Sequence, residues 1–377
     1  MRILTCLTYY HPYLSGLTLY AQRLAEALAA RGHTLTVLAG QHQPQLLTNE
    51  VVRGVAVRRI PARLRIGKGL VMPGMIPQAW RHLRQADVLH LHLPQVDGAY
   101  LAMLARLCGI PTVVTYHCDL SLPKGWLNRV SNAISNMSGR LANRLAEVVV
   151  VNTRDYAEHS PLLRASLHKA VQVLPPAQVA WASPEDRIAF AQRARIQPRD
   201  RVIGMIGRVA AEKGVDVLAE ALPIVQRAHP SARVLHAGAF QDVPGEAAYF
   251  KRVMHSTAAL GDAWRFLGPL PDGELAAFYE ACDVTVLPST NSTESFGMVQ
   301  VESMLCGTPV VASALPGVRV PVQMSGMGRL VSPNDPISLA EAISAILAAP
   351  RPPRANVLRE INPHTVAERY EKIFNSL

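Results

Sequence analysis

Short apolar runs alternate with stretches of helical spacing along nearly the whole chain, and the alternation is written twice. In the first half, Arg2–Leu7, Thr34–Ala39, Val51–Ile60 (one strand or two), Asp87–Leu93, Thr112–His117 and Val148–Asn152 read as strands. Leu17–Arg31, stopped at Gly32, and Tyr100–Cys108, stopped at Gly109, have helical spacing. In the second half, Arg201–Ile206, Ala232–Ala237, Ala263–Phe266, Asp283–Leu287 and Pro309–Ala312 read as strands. They alternate with helices Val215–Ala228, Ala247–Ala259, Pro271–Ala281 (Asp272 as its N-cap), Gly297–Cys306 and Ser338–Leu347. A last helix spans Pro363–Leu377. Apolar strands fed by helices make parallel sheets covered on both faces. With 377 residues the chain exceeds what one core usually serves. The rhythm pauses at Leu174-Pro175-Pro176-Ala177. The fold class is therefore α/β, with two doubly wound Rossmann-like domains, 1–178 and 179–362, and ligands expected in a cleft at the C-terminal strand ends.

Other architectures are set aside quickly. No apolar run approaches the roughly 20 residues of a membrane span. Met1-Arg2-Ile3-Leu4-Thr5-Cys6-Leu7 is too short and too quickly polar for a signal peptide. The five cysteines, Cys6, Cys108, Cys118, Cys282 and Cys306, are dispersed without a CxxC pair, which fits reduced thiols in the cytoplasm and no zinc site. The charge is lopsided. Residues 1–178 hold 19 Lys and Arg against 8 Asp and Glu, and residues 179–377 hold 19 against 20, so the whole formal excess of +10 sits in the first half. A basic lobe is consistent with an anionic partner and equally with a solvated surface.

Two local patterns carry chemistry. In Gly207-Arg208-Val209-Ala210-Ala211-Glu212-Lys213-Gly214, a strand delivers Arg208 to its C-terminal edge and Lys213 stands just before the next helix. Two cations beside helix N-terminal amides suit a diphosphate, although alone they equally suit a surface pair flanking a turn. In Glu294-Ser295-Phe296-Gly297-Met298-Val299-Gln300-Val301-Glu302, one carboxylate precedes a helix expected to start near Phe296-Gly297 and the other lies inside it. Amides of Phe296, Gly297 and Met298 would point toward a phosphate or sugar oxygen. Glu302 suits a vicinal diol, since a carboxylate can accept from both hydroxyls. Without context, two such glutamates arise readily by chance.

In combination these stretches resemble the GT-B fold glycosyltransferases of family 4, the retaining group also called glycosyl transferase group 1. The likeness rests on Glu294 to Glu302, on Gly207-Arg208 with Glu212-Lys213-Gly214, on Asp283–Ser289 and on Cys306–Ala312, and it extends over essentially the whole chain. It implies that the terminal helix 363–377 returns to the first domain. It implies donor binding by Gly16, Arg208, Lys213, Leu270, Glu294, Ser295, Phe296, Gly297, Met298, Val299 and Glu302. Arg208 and Lys213 would hold the diphosphate, Glu294 would lie by the transferred sugar, and Glu302 would hold the ribose. Gly268-Pro269-Leu270 falls where the family's loop meets the base. His117 resembles the histidine that faces the transferred sugar, which makes His117, Glu294, Arg208 and Lys213 the catalytic set. Of the family's glycine pair before the first helix only Gly16 is present, followed by Leu17. The turn after Gly317 reads Val318-Arg319-Val320 where the family often has a glutamate.

The implied activity is retaining transfer of a hexose from a UDP- or GDP-linked sugar to a glycan or lipid-linked acceptor, in cell-surface polysaccharide or glycolipid synthesis. No cofactor and no obligatory metal are expected, because no aspartate-rich metal motif stands out and the two cations could take a metal's place. Asp119 is either a loop residue or a group that orients or receives protons. His90 and His92, alternating on a strand, either pack or line the acceptor side. Arg53, Arg58, Arg59, Arg63, Arg65 and Lys68 cluster, and Trp126–Arg144 mixes apolar and basic residues as an interfacial helix does. Peripheral attachment to an anionic membrane at the inner face is the matching expectation; the alternative is a helix packed on its own domain. The rival readings are a GT-B-like sugar-nucleotide epimerase, distinguished by product formed without acceptor, and a non-catalytic sugar-nucleotide sensor, distinguished by binding without transfer. No nucleic-acid module is recognisable, and nucleic acid is not an expected partner.

Overall fold

The computed structural model describes residues 1–66, 69–120, 126–241, 243, 246–352 and 360–377. It divides into two compact units, Met1–Ala177 with Glu360–Leu377, and Gln178–Arg359. The strands are β1 (Arg2–Cys6), β2 (Thr34–Gln41), β3 (Asn49–Val52), β4 (Val55–Pro61), β5 (Leu64–Ile66), β6 (Gly69–Val71), β7 (Val88–Leu93), β8 (Thr112–Tyr116), β9 (Val148–Val151) and β10 (Ala170–Gln172) in the first unit. The second has β11 (Arg201–Ile206), β12 (Ala232–Ala237), β13 (Trp264–Gly268), β14 (Val284–Leu287), β15 (Val310–Ser313) and β16 (Gly328–Val331).

Among the described residues the first sheet runs β10-β9-β8-β7-β1-β2-β4-β3. It is parallel except where β3 turns back antiparallel on β4, the second strand of the Val51–Ile60 run. Its central strands are buried on both faces, so β7, Val88-Leu89-His90-Leu91-His92-Leu93, carries no exposed residue. One apolar layer gathers Ile3, Val37, Val57 and Val113 with Tyr20, Leu24 and Leu28 of helix Gly16–Ala30 and Val366, Tyr370 and Phe374 of the terminal helix Pro363–Asn375. The opposite layer holds Leu4, Leu38, Leu89 and Val114 against Leu101, Ala105 and Ala142. The terminal helix thus belongs to the first unit. Arg31 pairs with Glu371 at 2.7 Å and with Glu368 at 3.2 Å, and His33 Nε2 lies 2.7 Å from Glu371.

The second sheet is parallel throughout, in the order β13-β12-β11-β14-β15-β16. Helix Val215–Ala228 buries Val215, Leu218, Leu222 and Val225 against it, the spacing of one helical face. Helix Asp272–Ala281 begins one residue later than the sequence implies: Pro271 is the N-cap and Asp272 the first helical residue. The helices Met75–Leu83, Pro184–Arg193 and Arg319–Ser325 and strand β16 are additions to the sequence reading.

In each sheet the strand order reverses at one place. In the first sheet the chain passes from β1 to β2 on one side and resumes at β7 on the other; in the second it passes from β11 to β12 and β13, then resumes at β14. At such a switch point the loops leaving two neighbouring strands diverge to opposite faces and open a crevice, the usual ligand position in open α/β sheets. The loops concerned are those after β1 and β7 in the first unit, and those after β11 and β14 in the second.

Candidate active site

Both motifs of the second half converge on its switch point. The loop after β11 carries Arg208 and Lys213, and the segment after β14 carries Glu294. Lys213 Nζ donates to Glu294 Oε2 at 2.5 Å, with the two side chains 21% and 14% exposed, so the pair is shielded yet reachable. Arg208 donates to Glu212 Oε1 at 2.8 Å. Glu212 is a residue the sequence pointed to only through its place in the motif, four positions after Arg208. The stem of Lys213 runs beside Gly207, where an added β-carbon would lie 3.6 Å from Lys213 Cδ.

Two devices fix these loops to one another. Thr290 bridges them, its amide donating to Glu212 O at 3.0 Å and its hydroxyl to Ala211 O at 3.0 Å. Gly214 stands at φ 65° and ψ 36°, and a β-carbon there would fall 2.1 Å from the Pro288 carbonyl oxygen. Only glycine combines that left-handed backbone with so close an approach.

The helix that follows Glu294 starts at Met298, later than expected, because Gly297 is its N-cap in the left-handed region at φ 76°. A β-carbon at Gly297 would lie 2.2 Å from Leu287 Cδ2, which is why this turn ends in glycine. Gln300, not anticipated from the sequence, clamps the turn from inside. Its Nε2 donates to Phe296 O at 2.5 Å and to Val318 O at 2.9 Å, tying in the turn around Gly317. Among Ser295, Phe296, Met298 and Val299, the first two are buried and the last two partly so, at the mouth of an eight-residue helix with no side-chain cap. Its first amides are the donors that an anion would meet. Glu302, inside the helix, is 4% exposed, and its Oε2 accepts from the buried Tyr279 hydroxyl at 3.1 Å. Burial first, and then the Glu302 charge, hold the Tyr279 hydroxyl well above its ordinary pKa, so it stays a donor. Leu270 is half-buried just past β13, after Gly268, whose carbonyl accepts from Gly238 N at 2.8 Å.

In the first unit, Gly16 opens helix Gly16–Ala30 and is exposed. Ser15 caps the helix through a reciprocal pair with Thr18, at 3.2 Å for Thr18 N to Ser15 Oγ and 2.9 Å for Ser15 N to Thr18 Oγ1. Such a cap stabilises a helix by about 1 kcal/mol. Leu17 is partly buried and packs on the core layer beside this helix, so its bulk is directed partly inward.

His117 directly follows β8 and is 7% exposed. Its Nε2 lies 2.9 Å from His92 Nδ1, and its ring meets Tyr20 edge-on at 4.9 Å. Burial, and then the neighbouring His90, push His117 down to about 3, and burial also holds His92 well below its ordinary value. Both rings are therefore neutral, one nitrogen donating and the other accepting, so His117 offers a hydrogen bond rather than a cation. His90 and His92 pack rather than line an open surface. His90 Nε2 meets Thr115 Oγ1 at 2.7 Å, Thr115 meets the Tyr370 hydroxyl at 2.6 Å, and Tyr370 meets Tyr20 at 2.8 Å. Asp119 proves a loop anchor: its Oδ1 accepts from the Tyr116 and Ser160 hydroxyls, both at 2.6 Å. At the first switch point Tyr9 and Tyr13 stack with centroids 4.4 Å apart, and His42 meets Tyr13 edge-on at 5.4 Å.

The basic cluster is less uniform than its sequence. Arg59 is 1% exposed at its side chain, pairs with Glu50 at 2.5 Å and donates to Leu47 O and His11 O, so it pins a loop rather than facing solvent. Arg53 pairs with Glu26 at 3.1 Å. Arg58 is half-buried, Arg63 and Arg65 are exposed, and Lys68 lies outside the described residues. Helix Trp126–Leu145 turns Ser135, Ser138, Gly139, Ala142 and Asn143 inward. It leaves Val130, Ile134, Met137 and Leu141 outward, 50%, 51%, 70% and 41% exposed. The side chains of Trp126 and Leu127 lie outside the described residues. Among the described residues no helix is long and apolar enough to cross a membrane.

Comparison with known proteins places this geometry. The family model for glycosyl transferases group 1 matches residues 186–363, and that for the glycosyl transferase 4-like domain matches residues 15–177. The chain is 26% identical over 363 residues to the D-inositol 3-phosphate glycosyltransferase of Segniliparus rotundus, covering 90% of this chain and 78% of that one. It is 29% identical over 360 residues to the enzyme of that name from Corynebacterium diphtheriae, covering 88% and 81%. Among solved structures, HepE of Anabaena in complex with UDP-glucose superposes with a TM-score of 0.76 at 20% identity, covering 100% of both chains. Sucrose-phosphate synthase of Thermosynechococcus elongatus gives 0.76 at 21%, covering 100% of this chain and 98% of that one. These structural likenesses establish the fold.

Proposed function

The chain belongs to the group 1 glycosyltransferases and has their GT-B fold, and from that premise we propose that it moves a hexose from a UDP- or GDP-linked sugar to an acceptor hydroxyl with retention at the anomeric carbon. The observation that carries this reading is the quartet Arg208, Glu212, Lys213 and Glu294 at the switch point of the second sheet. Arg208, Lys213 and the first amides of helix Met298–Leu305 hold the diphosphate, and Glu294 lies by the sugar. Glu302 and the loop at Leu270 face the nucleoside. As the bond from the anomeric carbon to the phosphate oxygen breaks, negative charge grows on the leaving diphosphate, and the two cations stabilise it. The acceptor oxygen bonds to the same face of the anomeric carbon, and its proton passes to a leaving phosphate oxygen. In the first unit, His117, held neutral by burial and oriented by His92, and the exposed Gly16 are the residues that the family likeness assigns to the donor. The protein's own cations serve where a metal otherwise would, so turnover persists in chelator. That HepE was crystallised with UDP-glucose supports a nucleotide-sugar donor.

For the acceptor, the outward stripe Val130, Ile134, Met137 and Leu141 supports a lipid-linked glycan taken from the inner face of the cell membrane. Exposed Arg129, Arg140 and Arg144 flank the stripe, and the helix carries no acidic residue. A helix with small residues inward, large apolar residues outward and arginines alongside suits an anionic bilayer surface. The protein is expected to sediment with vesicles containing anionic lipid and not with neutral ones, and Met137→Glu should abolish sedimentation while leaving donor binding intact. Equal sedimentation with both vesicles would remove the membrane reading. A second acceptor class, a phosphorylated cyclitol, is supported by the names of the curated relatives.

A donor panel tests the whole reading. The protein is incubated with UDP- and GDP-hexoses, with and without chelator and with either acceptor class. Nucleoside diphosphate release, product configuration and thermal stabilisation are followed. One donor should stabilise the fold and be turned over with retention. Stabilisation without turnover would make the protein a sensor, and a new sugar nucleotide formed without acceptor would make it an epimerase.

A further inference from the structure

In the second unit both cations expected to receive the diphosphate already hold a carboxylate. Lys213 holds Glu294 at 2.5 Å and Arg208 holds Glu212 at 2.8 Å, while the Ala211 amide between them donates to a third carboxylate, Glu246, at 3.2 Å. Among the described residues, this loop cluster sets two cations against three carboxylates, which is a poor receptor for an anion as it stands. The two loops are tied to one another, because Thr290 bridges them and Gly214 rests against the Pro288 carbonyl, so the competition is relieved by movement of the Glu294 side chain.

We infer that Glu294 makes this site discriminate between the loaded donor and the spent nucleotide. The inference rests on the nucleotide-sugar reading above. A diphosphate that takes Lys213 displaces Glu294. If a sugar is attached, its hydroxyls donate to the freed carboxylate, and every charge is again satisfied. If the diphosphate is bare, Glu294 is left without its cation beside a second anion, a like-charge contact that its 14% exposure screens only in part. The sugar-bearing nucleotide therefore escapes a penalty that the bare one meets, and Glu294 promotes release of the product after transfer. The arrangement couples the sugar and diphosphate subsites through one ion pair, and such coupling is reciprocal.

Calorimetric titration of UDP, GDP and their hexose forms into the native protein, Glu294→Gln and Glu294→Asp tests this. Glutamine keeps the shape and removes the charge that competes for Lys213. It should bind the bare diphosphate about tenfold more tightly than the native protein does, with no gain for the sugar form, so that the preference shrinks at least about tenfold. Aspartate, which keeps the charge, should retain most of the preference. In the native protein, saturating free hexose should tighten binding of the bare diphosphate, a measurement that stands even if a variant fails to fold. An unmoved ratio in Glu294→Gln, or absent hexose coupling in a native protein that binds both nucleotides, overturns this inference alone. A native protein that binds neither nucleotide overturns the nucleotide-sugar reading and this inference with it.

Discussion

Lys213→Ala is expected to lower turnover by about two to three orders of magnitude, and Arg208→Ala by a similar factor. In the proposed reaction each cation touches the charge that develops as the sugar leaves, so its removal should raise the barrier by about 3 to 4 kcal/mol. Donor affinity should fall less than turnover, because the charge to be stabilised is greatest when the bond is breaking. The fold should survive. The Lys213–Glu294 and Arg208–Glu212 pairs reach solvent at their edges, with 21% of Lys213 and 32% of Arg208 exposed, and such pairs contribute little to stability. Combining the substitutions should not multiply their effects, since both serve one diphosphate. Steady-state rates with the donor found in the panel, read beside melting curves, check this. Near-normal turnover in both single variants would remove Arg208 and Lys213 from the active site.

Gly214→Ala should be as damaging, through geometry instead of charge. Alanine in the left-handed region costs about 1 to 2 kcal/mol. Its β-carbon would also need the space held by the Pro288 carbonyl oxygen, 2.1 Å away, so two backbone segments must separate. The combined destabilisation is expected to be about 3 kcal/mol, with turnover falling about a hundredfold as Lys213 shifts from its partner. The matched control is Gly273→Ala in helix Asp272–Ala281, where a β-carbon would meet nothing within 4 Å. There alanine should be neutral or stabilise by about 0.5 to 1 kcal/mol. Melting temperatures of the two variants decide the matter. Equal stability would mean that the approach of Gly214 to Pro288 does not hold the loops.

The sequence showed β11, helix Val215–Ala228 and β12 to their terminal residues, because each is long, apolar on the correct period and bounded by glycine or a polar turn. It missed helix Pro184–Arg193, in which only Phe190 is fully buried, since a helix that buries one large residue leaves almost no periodic signal. Strand β16, Gly328–Val331, was missed for a related reason: its burial alternates weakly and glycine opens it. The placement of the two cations was legible because local chain order alone brings Arg208 and Lys213 to one strand end. The partners of those cations were not. Glu212 is a local i,i+4 partner of Arg208, one contact among several the motif allows, and Glu294 meets Lys213 only once β14 is laid beside β11 and Thr290 stitches the loops. His92 illustrates the opposite error of emphasis. Alternation on a strand places its ring on a face, but the strand cannot say that Tyr20 and His117 occupy the space in front of it. Arg59 entered a surface patch by composition and left it because Glu50 and two carbonyl oxygens enclose it.

The terminal helix has a consequence for the order in which the protein can be made. Tyr370 sits at the centre of the chain of contacts that joins Tyr20, Thr115 and His90, yet it is translated after the entire second unit. On the ribosome the second unit can therefore finish its core while the first, begun earlier, still waits with an apolar layer uncovered. The half that is synthesised first is completed last, and His90 meets Tyr370 and Phe374 only when residues 363–375 emerge.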